Sequence, residues 1–120
     1  MDLLDIFSDA DDVQNVPAGE VILFEGQAGD CMYVVLEGEL LISLNDKELD
    51  RAGPGQIIGE MALINSDKRS ASISTLTDCK LVKIDQKSFS SLLKHVPEFS
   101  LHVMTVLTNR LQRAYDMIED

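Results

Sequence analysis

Residues 53–72 read Gly53-Pro54-Gly55-Gln56-Ile57-Ile58-Gly59-Glu60-Met61-Ala62-Leu63-Ile64-Asn65-Ser66-Asp67-Lys68-Arg69-Ser70-Ala71-Ser72. A Gly-Pro-Gly turn opens the stretch, followed by a short apolar pair, a lone Gly59 and Glu60. One helical turn is expected at Met61 to Ile64, then a polar loop carrying Lys68 and Arg69, then a strand from Ser70 onward. Gly59 has no Cβ, so a ligand can approach its backbone closely. The N–H groups of Glu60, Met61 and Ala62 open a helical turn and have no partner inside it. Free N–H groups at such a place suit an anion. Arg69 adds a planar fork of donors that matches phosphate oxygens in pairs. Glu60 would repel a phosphate, unless it accepts a hydrogen bond from a sugar hydroxyl beside it. A phosphate next to a ribose hydroxyl describes a nucleotide.

Gly59-Glu60-Met61-Ala62-Leu63, with Arg69-Ser70-Ala71 following, resembles the phosphate-binding cassette of cyclic-nucleotide-binding domains. These are the modules of the catabolite activator protein family, of cyclic-nucleotide-dependent kinases and their regulatory subunits, and of gated channels. The resemblance implies that Glu60 holds the ribose 2′-hydroxyl and Arg69 the cyclic phosphate. It gives the amides around Gly59, Met61 and Ala62 the rest of the shell, and places Ser70 and Ala71 beside it. Phe24-x-Gly26, Asp30-x-x-Tyr33, Gly38 and Pro54-Gly55 match the glycine-punctuated opening of the same family. Family members often cap the purine with a side chain from the last helix; by matching position this falls on Ala114 and Tyr115. Tyr115 can stack on a base, and it can equally be a half-exposed helix aromatic. Ala114 lacks the hydroxyl that familiar bacterial cAMP sensors carry there, so cAMP and cGMP both stay open as ligand.

At 120 residues the chain is expected to be one domain. The count of 10 basic against 21 acidic residues, net −11, argues against sequence-independent binding to nucleic acid or anionic lipid. A nucleotide pocket must then make its positive potential locally, which screening over about 8 Å permits. No apolar run approaches a membrane span and no basic start marks a signal peptide, so the chain reads as cytoplasmic. Cys31 and Cys79 read as small buried hydrophobes in a reducing compartment, with a disulfide left open.

Outward from the cassette the chain reads as mainly β with α. Residues 1–12 carry Leu3, Leu4, Ile6 and Phe7 among acids and suggest a short amphipathic helix. Short apolar runs at 21–24, 31–37, 39–44, 71–76 and 80–84 and a short polar strand at 47–51, split by glycine turns and by Asn45-Asp46, predict a double-stranded β-helix, a jelly-roll-like β-roll, over about 13–85. The cassette falls at 58–71 and two helices at about 86–118. Asp85 is a plausible N-cap, with Ser88 as an alternative start, and Pro97 ends the first helix and opens the second. Met104, Leu107, Leu111, Ala114 and Ile118 form a short heptad-like stripe that either packs on its own domain or pairs with a second copy. Since the family commonly dimerises there, the resemblance favours a homodimer.

The expected function is a regulatory sensor that binds a cyclic nucleotide and moves its C-terminal helix. It is not expected to be an enzyme or to need a cofactor. His95 and His102 are the sole histidines, both in the helical tail, and no nucleophile–His–acid set is visible. The alternative is a ligand-free scaffold or dimerisation domain, in which Glu60 and Arg69 pair with each other. Arg51, Arg110 and Arg113 read as solvated or weakly paired charges. The resemblance to DNA-binding regulators stops at Asp120 without a helix-turn-helix, so the expectation is a stand-alone sensor with an unknown protein partner, or a fragment of a longer chain.

Overall fold

A computed structural model describes residues 13–27, 29, 31–59 and 71–119. The short helix expected before residue 13 lies outside them. Among the described residues eight strands come first: β1 (Val13–Val16), β2 (Val21–Leu23), β3 (Cys31–Glu37), β4 (Leu40–Leu44), β5 (Lys47–Ala52), β6 (Ile57–Ile58), β7 (Ser72–Thr75) and β8 (Cys79–Asp85). Two helices follow, α1 (Gln86–His95) and α2 (Pro97–Glu119). The strands form two antiparallel 4-stranded sheets, ordered β1-β8-β3-β6 and β2-β7-β4-β5. This is the mainly β roll with two C-terminal helices that the glycine-punctuated pattern predicts.

Alternation along each strand places the core. Leu23, Leu40, Ala52 and Ile73 from one sheet meet Val35, Ile58, Cys79 and Leu81 from the other in one apolar cluster. Burying such side chains stabilises by about 1.5–3 kcal/mol each. Met32, Val34, Ile57, Val82 and Ile84 project from the opposite face of the first sheet and are buried as well. That two-sided burial explains why Cys31–Glu37 reads as a nearly continuous apolar run instead of an alternating one.

Turn chemistry sets the register. Asn45 and Asp46 both take positive φ, 52° and 65°, as the two-residue β4–β5 hairpin requires. At the corner between sheets, Pro54 precedes Gly55 at φ 84°, and the Gln56 N–H donates to the Gly53 carbonyl at 3.1 Å. Pro then Gly at the central positions is the signature of a type II turn. The Gly55 N–H reaches the Val35 carbonyl at 2.8 Å, and the Val35 N–H reaches the Gln56 carbonyl at 2.9 Å. The turn is thereby riveted to β3.

Thr75 is 2% exposed and serves as a second rivet. Its hydroxyl donates to the Pro17 carbonyl at 2.7 Å and accepts from the Glu20 N–H at 3.0 Å. Cys31 and Cys79 are both buried and form no disulfide. Cys31 lies opposite Asp85, six residues along β8 from Cys79. At about 3.3 Å per residue the two are roughly 20 Å apart, far beyond disulfide reach.

By internal contacts the chain falls into two compact units, one of strands reaching Gln86 and one of helices from Lys87 on. In the helical unit Phe89 and Phe99 are both buried and meet edge to face, with centroids 6.0 Å apart at 75°. Helix α1 starts directly after Asp85, the first of the two expected starts, and stops at His95, two residues before Pro97. The His102 Nε2 on α2 is buried with no hydrogen-bond partner among the described residues, and burial lowers the pKa of that imidazole. No helix among the described residues is long and apolar enough to cross a membrane, a statement that leaves strands aside.

Candidate functional site

The corner turn at Gly53-Pro54-Gly55 delivers the chain from β5, an edge strand of the second sheet, to β6, an edge strand of the first. Ile57 and Ile58 pair with Val34 and Tyr33 and are fully buried, which fixes β6 in place. Gly59 comes next, half-buried, at φ 80°. A side chain is strained in that region of backbone space. Glycine therefore suits the backbone conformation required at the end of a pinned strand.

Glu60, Met61, Ala62, Arg69 and Ser70 lie outside the described residues. The chain reappears at Ala71, half-buried, and enters β7, which lies between β2 and β4 in the second sheet. The predicted cassette thus starts from the rim of one sheet and ends in the other. Its landing is held firmly: the Ser72 hydroxyl accepts from the Glu25 N–H at 3.0 Å, and Ile73 is buried between Leu23 and Ile42. Ala114 and Tyr115 lie on α2 and are exposed, Tyr115 by 53%.

Two cations of the roll, Arg51 and Lys80, lie beside carboxylates of their own. The Arg51 Nε donates to Glu48 Oε1 at 2.6 Å, and that hydrogen bond raises the Arg51 pKa. Both partners are solvent-exposed, as expected for a weak surface pair. Lys80 lies 3.9 Å from Glu37. A shallow depression of about 300 Å³ beside β1 and β8 is bounded by Asn15, Pro17, Glu37, Asp78 and Lys80. Its charged groups are engaged: Asp78 accepts from the Ala18 N–H at 3.0 Å, and Glu37 faces Lys80. The described residues hold no cluster of three or more His, Cys, Asp or Glu side chains fit for a metal ion.

One inward-facing group was missed by the sequence reading, which took residues 47–51 as a plain polar strand. Asp50 lies opposite Ile42, and Ile42 packs against the interior cluster. Strand alternation with buried Ala52 places the Asp50 carboxylate on the same inner face. The signal was available in the period-2 pairing of Asp50 with Ala52.

The sequence matches the cyclic nucleotide-binding domain family over residues 13–96. It is 38% identical over 85 residues to a cyclic nucleotide-gated potassium channel of Rhizobium etli, covering 71% of this chain and 24% of that one. It is 30% identical over 116 residues to the cAMP-activated global transcriptional regulator CRP of Haemophilus influenzae, covering 92% of this chain and 52% of that protein. Among solved structures, the Thermus thermophilus catabolite activator protein superposes with a TM-score of 0.78 at 25% identity, covering 89% of this chain and 53% of that one. The chain thus spans about a quarter to a half of the length of these relatives.

Proposed function

Taking as premise that this chain belongs to the cyclic nucleotide-binding domain family, we propose that it is a regulatory module that binds cAMP or cGMP and signals by moving its C-terminal helix. The observation that carries this reading is the Gly59 turn. A glycine at φ 80° ends a buried edge strand directly before the residues that match the phosphate-binding cassette. In the proposed complex the cyclic phosphate meets the amides after Gly59 and the guanidinium of Arg69, while Glu60 takes the ribose hydroxyl. Ser70 and Ala71 line the far side of the phosphate, and Ala114 and Tyr115 meet the base. Residues 1–120 then act as one binding domain, without catalysis and without a cofactor.

Binding becomes signalling only if the ligand prefers one of two states. Charge-assisted hydrogen bonds worth about 1.5–3 kcal/mol each suffice to set that preference. The distal half of α2 supports an output by association with a second copy, because Leu111, Tyr115, Met117 and Ile118 are all exposed in the single chain. Sedimentation showing monomer alone, with and without nucleotide, would remove the homodimer from the proposal. The module is placed in the cytoplasm, with a downstream protein partner.

The direct test is a melting curve with each nucleotide. A ligand at a hundred times its Kd stabilises the folded state by about 2.7 kcal/mol. An upward shift with cAMP or cGMP is expected. An unchanged melting temperature at about millimolar levels of both leaves the scaffold alternative standing.

A further inference from the structure

Three strand ends meet at the entrance to β7, the first strand after the residues that match the cassette. Phe24 to Gln27 form a tight turn just past β2: the Gln27 N–H donates to the Phe24 carbonyl at 3.3 Å, and Gly26 takes φ 83°. A positive-φ glycine at the third position marks a type II turn. Glu25 occupies the second position, and its N–H lies outside the turn's own hydrogen bond. That N–H donates to the Ser72 hydroxyl at 3.0 Å. The Glu25 carboxylate reaches the other way, and its Oε1 accepts the Asn45 N–H at 3.2 Å. Asn45 opens the β4–β5 hairpin turn at φ 52°. It stands two residues beyond Ser43, and Ser43 pairs with Ser72 in the β4–β7 ladder. The links close a ring: Ser72 to Glu25, Glu25 to Asn45, and Asn45 along the chain to Ser43 and back to Ser72.

Because β7 lies between β2 and β4, Glu25 spans the first residue of β7 from one neighbouring strand to the other. Ile73 belongs to the interior cluster, so alternation turns Ser72 to the outer side of the sheet. Glu25 and Ser72 are both half-buried. Ser72 follows Ala71 directly and Arg69 by three residues. A shift of Ser72 is therefore passed along the chain to the residues proposed to hold the phosphate. Binding groups lose strength when their supports let them stray by more than about 0.5 Å.

We infer that Glu25 is a positioning residue for nucleotide binding: without touching the ligand, it ties the entrance of β7 to the β4–β5 hairpin and so fixes where the cassette ends. This rests on the cyclic-nucleotide reading above. A support ordered in advance removes its ordering cost from the binding step. The coupling is reciprocal, so a ring that favours the bound state is in turn held closed by bound nucleotide. The competing role is plain bracing of the roll, which changes the melting temperature of a variant but not its affinity.

The experiment combines calorimetric titration with cAMP and cGMP and amide hydrogen exchange at Glu25 and Asn45 by NMR. The proteins are the wild-type chain, Glu25→Ala, Glu25→Gln, Ser72→Ala and Thr75→Val. Glu25→Ala and Ser72→Ala should each weaken whichever nucleotide binds wild type by about three- to tenfold. Glu25→Gln keeps an acceptor oxygen and should stay within about twofold of wild type. Thr75→Val breaks hydrogen bonds at the other end of the same strand and should lose stability while keeping its affinity. Nucleotide should slow exchange at Glu25 and Asn45 in wild type. Wild-type affinity in folded Glu25→Ala and Ser72→Ala overturns the inference, as does an equal loss of affinity in Thr75→Val. A wild-type chain that binds neither nucleotide overturns the cyclic-nucleotide reading and the binding role of Glu25 with it, even where Glu25→Ala quickens exchange at Asn45 and so shows the ring itself to be present.

Discussion

Gly38, between β3 and β4, is held at φ 95° with no room for a side chain. A Cβ there would meet the Asp78 carbonyl oxygen at 2.5 Å, Cys79 Sγ at 2.6 Å and Cys79 Cα at 3.0 Å. Two of those atoms belong to the backbone entering β8, which is locked between β1 and β3, so they cannot swing aside. Gly38→Ala therefore carries two costs. Forcing an L-residue into the left-handed region costs about 1–2 kcal/mol, and overpacking against a fixed backbone about 1–3 kcal/mol. Gly26 separates them: it takes φ 83° but has nothing within 4 Å of its would-be Cβ, so Gly26→Ala carries only the first cost. Each kcal/mol lowers Tm by roughly 3–5 °C at this chain length. Circular-dichroism melts should show Gly38→Ala falling by about 6–25 °C, clearly more than the roughly 3–10 °C of Gly26→Ala. Equal drops for the two variants would refute the claim that the Gly38 neighbourhood is closed.

Thr75→Val keeps the shape but strands the Pro17 carbonyl and the Glu20 N–H; urea unfolding should show a loss of about 1–3 kcal/mol, and a loss under about 0.5 kcal/mol would show that water replaces the hydroxyl. His102 has a folded pKa lowered below 6.5 by burial, so on acidification the unfolded chain takes up its proton first. Its contribution is whole above pH 6.5 and is lost as pH falls from there toward the folded value; His102→Gln should flatten that part of the melting temperature's decline between about pH 7.5 and 5.5, and an identical decline in both proteins counts against it.

Most of the roll was legible because its punctuation is chemical. Asn45-Asp46, Pro54-Gly55 and Pro97 each permit few backbone paths, and each lies where the structure turns or starts an element. Strand ends were less sharp. β8 extends from Cys79 to Asp85 where the apolar pattern alone marks 80–84, because ladder pairing with β1 and β3 continues past the last apolar side chain. Sheet order was not legible: β1 pairs with β8 across most of the chain, a long-range choice that local propensity does not encode. Of the candidate site, Gly59 was readable from the backbone demand it meets. The terminal stripe on α2 was left between self-packing and pairing, and its outer half is exposed in the single chain.

The central claim is that Arg69 and the amides after Gly59 hold a cyclic phosphate. Isothermal titration of the wild-type chain and of Arg69→Ala with cAMP and cGMP tests it most directly. Removing a bidentate, charge-assisted contact worth about 1.5–3 kcal/mol per bond should cost at least about tenfold in affinity for whichever nucleotide binds, with the fold intact by circular dichroism. Unaltered affinity in Arg69→Ala would contradict the account.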